Sequence, residues 1–140
     1  EIATRVRTLV GQCAKSFTVT KGGLIFGTVA IRSGDGFVTT GRGKRELDSI
    51  VHVVSVNHQA RTVHVAGQAK ASLNAPLLSR MFDNPTVETI IHHHNQAPGL
   101  PTYAYAPPGT VRDTNRPNHT SFNIAGHGCV LLFNANGDQF

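Results

Sequence analysis

Apolar side chains recur every three or four residues at the start of the chain, with arginines and a lysine between them. The apolar positions are Ile2, Val6, Leu9, Val10, Cys13 and Phe17. This spacing places them on one face of a helix, so we predict an amphipathic helix over 2–16. The Gly22-Gly23 pair that follows predicts a break before the next element.

Further along, runs of β-branched and aromatic residues alternate with turn residues, which predicts a series of short strands. The predicted strands cover 28–32, 37–40, 49–56, 61–65, 87–94, 122–125 and 129–133. Ser33-Gly34-Asp35-Gly36 is typical of a hairpin turn, and a second turn is predicted at 57–60. A short helix is predicted over 75–82, before Asn84-Pro85. Mainly antiparallel strands with a few helices indicate an α+β fold.

Residues 95–118 contain five of the seven prolines and predict a long ordered loop with one helical turn. A loop of that length inside a compact domain usually has a functional role. The 140 residues are enough for one domain, which we expect to span 1–140. Because the first residue is Glu1, we expect a trimmed domain or part of a longer chain.

Composition excludes several classes of protein. Apolar residues make up 39% of the chain and charged residues 15%, which excludes a disordered chain and a coiled coil. No apolar run approaches the roughly 18 residues that span a bilayer, so no membrane association is expected.

The two cysteines indicate the redox compartment. Cys13 and Cys129 have no C-x-x-C spacing and cannot form a disulfide scaffold, which favours a reducing compartment, the cytoplasm.

The formal net charge is +5, and the basic residues gather only at Arg42, Lys44 and Arg45. A nucleic-acid surface usually has a denser basic stripe with aromatic residues in it, so we expect no nucleic-acid partner. A basic pocket for a small phosphorylated or carboxylated substrate explains the excess charge equally well.

The segment Ile90-Ile91-His92-His93-His94 is the first candidate for chemistry. Alternation along a strand puts His92 and His94 on one face and His93 on the other. Two imidazoles at i and i+2 can bind one metal ion, and His127, between two glycines, is the best candidate for a third ligand. Three histidines leave an open coordination position, as in catalytic zinc sites. The alternative is a histidine-rich strand that ends at the surface.

The segment Thr39-Thr40-Gly41-Arg42-Gly43-Lys44 follows a predicted strand. Its hydroxyls, backbone N–H groups and two cations can surround a phosphate, although the segment does not match a P-loop. A solvated basic turn is the alternative.

The third candidate lies within 103–113. Tyr103 or Tyr105 could donate a proton, and Arg112 could bind an anion. Alternatively, Arg112 and Asp113 form a structural ion pair. The chain contains no G-x-S-x-G motif, and no G-x-G-x-x-G follows a strand, so a serine hydrolase and a Rossmann nucleotide site are disfavoured.

In order, these segments resemble the class II aldolase/adducin family from about residue 2 to 133. The matching segments are Gly27-Thr28-Val29-Ala30-Ile31-Arg32, Phe37-Val38-Thr39-Thr40 with the following glycines, 48–56, Ile90 to His94, Tyr105 to Thr110, and Gly126-His127-Gly128. Each match is short, but their shared order is fairly specific.

The resemblance implies a three-layer fold, with a central, mainly antiparallel sheet flanked by helices. It also implies a divalent metal ion, zinc first among them, on three histidines, which are here His92, His94 and His127. In the family the ion polarises a carbonyl of a phosphorylated sugar or related hydroxy-carbonyl compound and stabilises an enediolate. A homo-oligomer is implied too, commonly a tetramer with active sites between subunits. The implied phosphate-binding residues are Gly27, Thr28, Thr39, Thr40, Gly41 and Ser72.

The sequence departs from the family at the catalytic glutamate. Within Lys70-Ala71-Ser72-Leu73, Leu73 stands where the family has its acid/base carboxylate, and leucine cannot transfer a proton. The proton donor is therefore sought among Tyr103, Tyr105 and Asp113.

Two hypotheses follow from these residues. One is a metal-dependent lyase-like enzyme with altered chemistry: an aldolase, epimerase, dehydratase or decarboxylase. The other is a non-catalytic, adducin-like binding or structural module that keeps the aldolase fold.

Overall fold

A computed structural model describes residues 1–42, 49–67 and 70–140 of the chain. Lys44 and Arg45 of the predicted basic loop lie outside these ranges, as do Gly43 and Asp48.

The described residues form ten strands and three α-helices. The strands are β1 (Thr18–Val19), β2 (Ile25–Phe26), β3 (Thr28–Ser33), β4 (Gly36–Thr40), β5 (Ile50–Asn57), β6 (Thr62–Ala66), β7 (Thr89–His93), β8 (Thr102–Tyr103), β9 (Phe122–Ile124) and β10 (Gly128–Phe133). The helices are α1 (Ile2–Cys13), which continues as a 3-10 turn at Ala14–Ser16, α2 (Ala75–Phe82) and α3 (Val111–Thr114).

Eight of these strands make one sheet in the order β6-β5-β4-β3-β7-β10-β9-β8. Neighbouring strands run antiparallel except for β8, which pairs parallel to β9. The α+β class and the mainly antiparallel central sheet predicted from the sequence are confirmed. The β1–β2 hairpin and β8 were not predicted, because strands of two residues are too short for an alternating pattern.

The sheet is covered on both faces, and alternation along β3 shows how. Val29 and Ile31 pack with Val6 and Val10 of α1 in one apolar cluster. Ala30 points to the opposite face, where the second cluster includes Leu77, Leu78, Met81 and Phe82 of α2. Each fully buried leucine or isoleucine contributes roughly 1.5–3 kcal/mol relative to an exposed one, so burial on two faces holds three layers together.

Arg32 fixes the end of α2 against the sheet. Its guanidinium donates to the carbonyl oxygens of Phe82 at 2.8 Å, Asn84 at 3.0 Å and Val87 at 2.8 Å. These carbonyls lie at and after the helix end, where no intrahelical donor remains. Within the described parts of the chain, no helix is long and apolar enough to cross a membrane.

Candidate metal centre

Three histidine side chains converge where β7 ends and β10 begins. His92 lies on β7, His94 follows that strand directly, and His127 precedes β10 in the turn after β9. Because β7 and β10 pair antiparallel, the end of β7 meets the start of β10. One ring nitrogen of each histidine lies within 4.8 Å of the other two. These three imidazoles can therefore hold one metal ion.

Gly128 permits this close approach of the two strands. It has a φ of +97°, and a Cβ there would overlap the carbonyl oxygen of His93. Only glycine adopts this conformation without strain and leaves that space free. The sequence Gly126-His127-Gly128 thus lets β10 begin directly beside the histidines of β7.

The ring of His92 has a defined orientation. Its Nδ1 lies 2.8 Å from the carbonyl oxygen of Cys129. Because a carbonyl oxygen only accepts, Nδ1 carries the proton and Nε2 is left with a free lone pair. The Nε2 atoms of His92 and His127 are both buried and have no hydrogen-bond partner among the described residues. Buried unpartnered imidazole nitrogens beside one another fit a bound cation.

The surroundings of His92 and His127 favour the neutral form of both rings. Burial lowers the pKa of His92 to about 3, against the opposing effect of its hydrogen bond to Cys129. Burial also lowers the pKa of His127, while the nearby Asp113 carboxylate acts in the opposite direction. Neutral imidazole is the form that binds metal ions, so the environment of these rings suits ligation at neutral pH.

The three histidines line a cleft of about 180 Å³. Four residues predicted to bind phosphate also line it, together with one cation from the predicted basic loop: Gly27, Thr28, Gly41, Ser72 and Arg42. The structure therefore brings the predicted metal ligands and most of the predicted anion-binding residues into one cleft.

The remaining predicted anion-binding residues are not brought to this cleft. The hydroxyl of Thr39 donates to the carbonyl oxygen of Val29 at 2.9 Å, and that of Thr40 accepts from the Val29 N–H at 3.4 Å. Both threonines are fully buried. Their hydroxyls thus stabilise the β3–β4 pair, and Arg112 is exposed outside the cleft.

The two tyrosines have different surroundings. Tyr105 is half exposed, and its ring centroid lies 5.8 Å from that of His127 in an edge-on arrangement. Tyr103 packs on Phe122 with ring centroids 5.3 Å apart, against the apolar cluster beneath α2. Tyr105 is therefore the tyrosine that lies beside the three histidines.

Asp113 belongs to a buried ion pair. Its carboxylate lies 3.1 Å from the guanidinium of Arg116, and the two side chains are 1% and 6% exposed. The alternative of an ion pair with Arg112 is wrong: the partner is Arg116, three residues further along the chain and just beyond the end of α3. Burial raises the pKa of Asp113, and the Arg116 guanidinium opposes that shift.

Leu73 lies in the cleft and is 54% exposed. Among the described residues that line the cleft there is no aspartate or glutamate.

Phe26 also lines the cleft, although no pattern in the sequence indicated it. Its ring stacks on His94 with ring centroids 5.8 Å apart. Phe26 lies on β2, a strand of two residues, which is too short to show an alternating pattern of apolar and polar residues.

No protein-family model matches the sequence, and no curated protein matches it. Solved structures do match. YgbL from Escherichia coli, a proposed aldolase/epimerase/decarboxylase, matches with a TM-score of 0.68 at 14% identity, over 93% of this chain and 77% of YgbL. L-fuculose-1-phosphate aldolase from Thermus thermophilus matches with a TM-score of 0.62 at 11% identity, over 94% of this chain and 78% of that one.

Another L-fuculose 1-phosphate aldolase matches with a TM-score of 0.65 at 14% identity, over 94% of this chain and 74% of its own. At such low identity the likeness concerns the fold. It agrees with the order of the sequence segments that resemble the class II aldolase/adducin family. The chain therefore has the class II aldolase/adducin fold that the sequence resemblance implied.

Proposed function

We propose that this protein is a divalent-metal-dependent, lyase-like enzyme acting on a small phosphorylated sugar or a related hydroxy-carbonyl compound. His92, His94 and His127 would hold the ion, with zinc the first candidate. The proposal depends on one observation: three imidazoles converge within 4.8 Å, and two of them have buried, unpartnered Nε2 atoms.

A bound divalent ion supplies a Lewis acid that stabilises negative charge on a substrate carbonyl oxygen. The chain itself supplies the anion-binding wall. The Thr28 and Ser72 hydroxyls and the Arg42 guanidinium can bind a phosphate or carboxylate. A Cβ at Gly27 would overlap the Phe17 ring, so this glycine makes room for that ring rather than for the anion. Phe26, stacked on His94, lines one side of the cleft.

Proton transfer would use Tyr105. Of the three candidates, it is the one with an exposed phenol beside a proposed metal ligand. Tyr103 packs against Phe122 at the edge of the apolar cluster, and the Asp113 carboxylate is paired with Arg116, so both are less suited than Tyr105 to donate a proton. Because Leu73 replaces a carboxylate, we expect the reaction to differ from ordinary aldol cleavage.

The alternative is a non-catalytic, adducin-like module. Leu73 favours it, since an exposed leucine in the cleft supports binding of an apolar group better than proton transfer. A module of this kind would keep the fold, and its histidines would serve packing alone.

The test is the metal content of the protein purified without chelator or nickel affinity steps. We expect about one transition-metal ion per chain, lost in His94→Ala and kept in His64→Ala, an exposed histidine on β6. With that result, turnover of phosphorylated ketoses and hydroxy acids separates the enzyme from the module. Absence of metal from all three proteins would refute the proposed metal centre.

Three further expectations belong to the proposal. We propose one domain over 1–140, a homo-oligomer, and a reducing compartment, the cytoplasm. Free thiols at both Cys13 and Cys129 support the last of these. Sedimentation equilibrium of the purified protein tests the oligomer.

A further inference from the structure

A second, larger cavity lies on the α2 side of the sheet. Its volume is about 570 Å³, and its walls come from the β5–β6 hairpin, α2 and α3. It adjoins the cleft of the three histidines where two backbone segments pair: Gly41 pairs with Ala71, and the Arg42 N–H donates to the Lys70 carbonyl oxygen at 2.7 Å. Arg42, Ser72 and Leu73 line both spaces.

The walls of this cavity combine positive charge with apolar surface. Four cationic side chains line it: Arg42, Arg61, Lys70 and Arg80. No carboxylate lines it within the described parts of the chain. Because like charges repel, four cations around one cavity are stabilised by a bound anion.

Arg80 shows that this charge is incompletely neutralised. Its Nε is buried and has no hydrogen-bond partner among the described residues. Its Nη1 lies 3.5 Å from the Asp83 carboxylate, a long contact between two exposed groups. The exposed part of this guanidinium, which is only weakly paired with Asp83, is available to bind an anionic ligand.

The apolar part of the wall lies on the strands of the β5–β6 hairpin. Val56, Val63 and Val65 line the cavity there, and Val65 is 40% exposed. A small inorganic ion would leave these side chains in water, and an uncharged apolar molecule would leave the cations unpaired. The volume lies within the range of about 300–1,000 Å³ typical of small-molecule sites.

We propose that this cavity binds an organic anion with an apolar body, such as an aryl or acyl carboxylate, phosphate or sulfonate. Lys70 and Arg80 bind the acidic group, and the valines of the hairpin contact the apolar body. The proposal does not depend on the metal centre, so it can fail or succeed separately from the proposed function.

The test uses 8-anilinonaphthalene-1-sulfonate as a fluorescent probe, displaced by 4-phenylbutyrate, 4-phenylbutanol or inorganic phosphate. The two phenyl compounds differ in charge, and phosphate has no apolar body. We expect 4-phenylbutyrate to displace the probe at a concentration at least tenfold below that of either control, since a charge-assisted contact typically contributes about that factor.

Variants locate the site. Lys70→Gln and the double variant Lys70→Gln/Arg80→Gln should weaken probe binding progressively, by about tenfold or more in the double variant. Arg7→Gln, an exposed cation on α1 across the sheet, should bind like wild type. His94→Ala should also bind like wild type, because the metal centre is not involved.

Thermal melts confirm that each variant is folded, and the comparison of ligands on the wild-type protein needs no variant. Equal displacement by 4-phenylbutyrate and 4-phenylbutanol would overturn the proposal, as would equal binding by the Lys70 and Arg7 variants. Absence of probe binding to the native protein would overturn it as well.

Discussion

Nδ1 of His92 donates to the carbonyl oxygen of Cys129 at 2.8 Å, across the β7–β10 pair. A backbone atom of the neighbouring strand therefore sets the tautomer of the most buried histidine, which is 2% exposed. This contact orients the free Nε2 toward the other two imidazoles, and it depends on strand register rather than on another side chain.

The proposed metal ion should stabilise the fold. We expect zinc at about 100 times its dissociation constant to add about 2.7 kcal/mol to the free energy of unfolding. For a chain of this size that corresponds to a rise in melting temperature of roughly 5–10 °C. Differential scanning fluorimetry with zinc, and then with excess EDTA, measures the effect.

His92→Ala is expected to abolish this zinc-dependent rise, while His64→Ala should keep it. The variant is also expected to melt lower than wild type without zinc, because it leaves a cavity and an unpaired carbonyl at Cys129. A full zinc response in His92→Ala would argue against ligation by this residue.

Gly128→Ala should destabilise the protein strongly. The residue has a φ of +97°, and an added Cβ would overlap the His93 backbone, so we expect a loss of about 3 kcal/mol or more. Gly137→Ala is the matched control: its φ is +82°, but nothing lies within 4 Å of an added Cβ. A loss of only about 1 kcal/mol is expected there, from backbone strain alone. Equal losses in urea unfolding would show that the approach of β10 to β7 is not tight.

Asp113→Asn should reduce stability without removing the metal. Breaking its ion pair with Arg116 leaves a buried guanidinium poorly compensated, at a cost of about 2–4 kcal/mol. The exposed Arg80–Asp83 pair provides the control, and Asp83→Asn should change stability by less than about 0.5 kcal/mol. Urea unfolding and metal analysis of both variants measure the two effects. A normally stable Asp113→Asn protein that has lost its metal would instead indicate a direct role at the centre.

Leu73→Glu should introduce a general base into the cleft. Leu73 is 54% exposed, so the substitution should leave the melting temperature nearly unchanged. Proton exchange between dihydroxyacetone phosphate and deuterated water, followed by NMR, is expected to rise at least tenfold, since general bases typically contribute about 10²-fold or more. Leu73→Gln introduces a side chain of similar size without a carboxylate, so it should not raise the rate of proton exchange. Equal exchange by both variants would contradict a base at this position.

The two thiols should differ in reactivity. Cys129 is fully buried, and burial raises its pKa to about 11. Because the thiolate is the reactive form, Cys13→Ser, which keeps only Cys129, should not react with Ellman's reagent at pH 8 until it is unfolded. Cys129→Ser keeps the half-buried Cys13 and should react in the native state. Equal rates for folded and unfolded Cys13→Ser protein would show that Cys129 is accessible.

The sequence by itself predicted the elements that have a strong periodic pattern. Helical spacing from Ile2 to Phe17 predicted α1, and the β-branched run 49–56 predicted β5 to within one residue at each end, because burial on one face imposes those periods on the chain. Alternation along β7 likewise placed His92 and His94 on one face, so two proposed ligands were evident from spacing alone.

Only the tertiary structure decided which distant residues meet. The register of β10 against β7 places His127 beside His92, and the pairing of β8 with β9 packs Tyr103 against Phe122. Thr39 has the side-chain type that can bind phosphate, but its hydroxyl donates to the carbonyl oxygen of Val29 on the neighbouring strand β3. Local spacing reports which face a side chain occupies. The partner on that face depends on how segments far apart in sequence pack, which no local pattern contains.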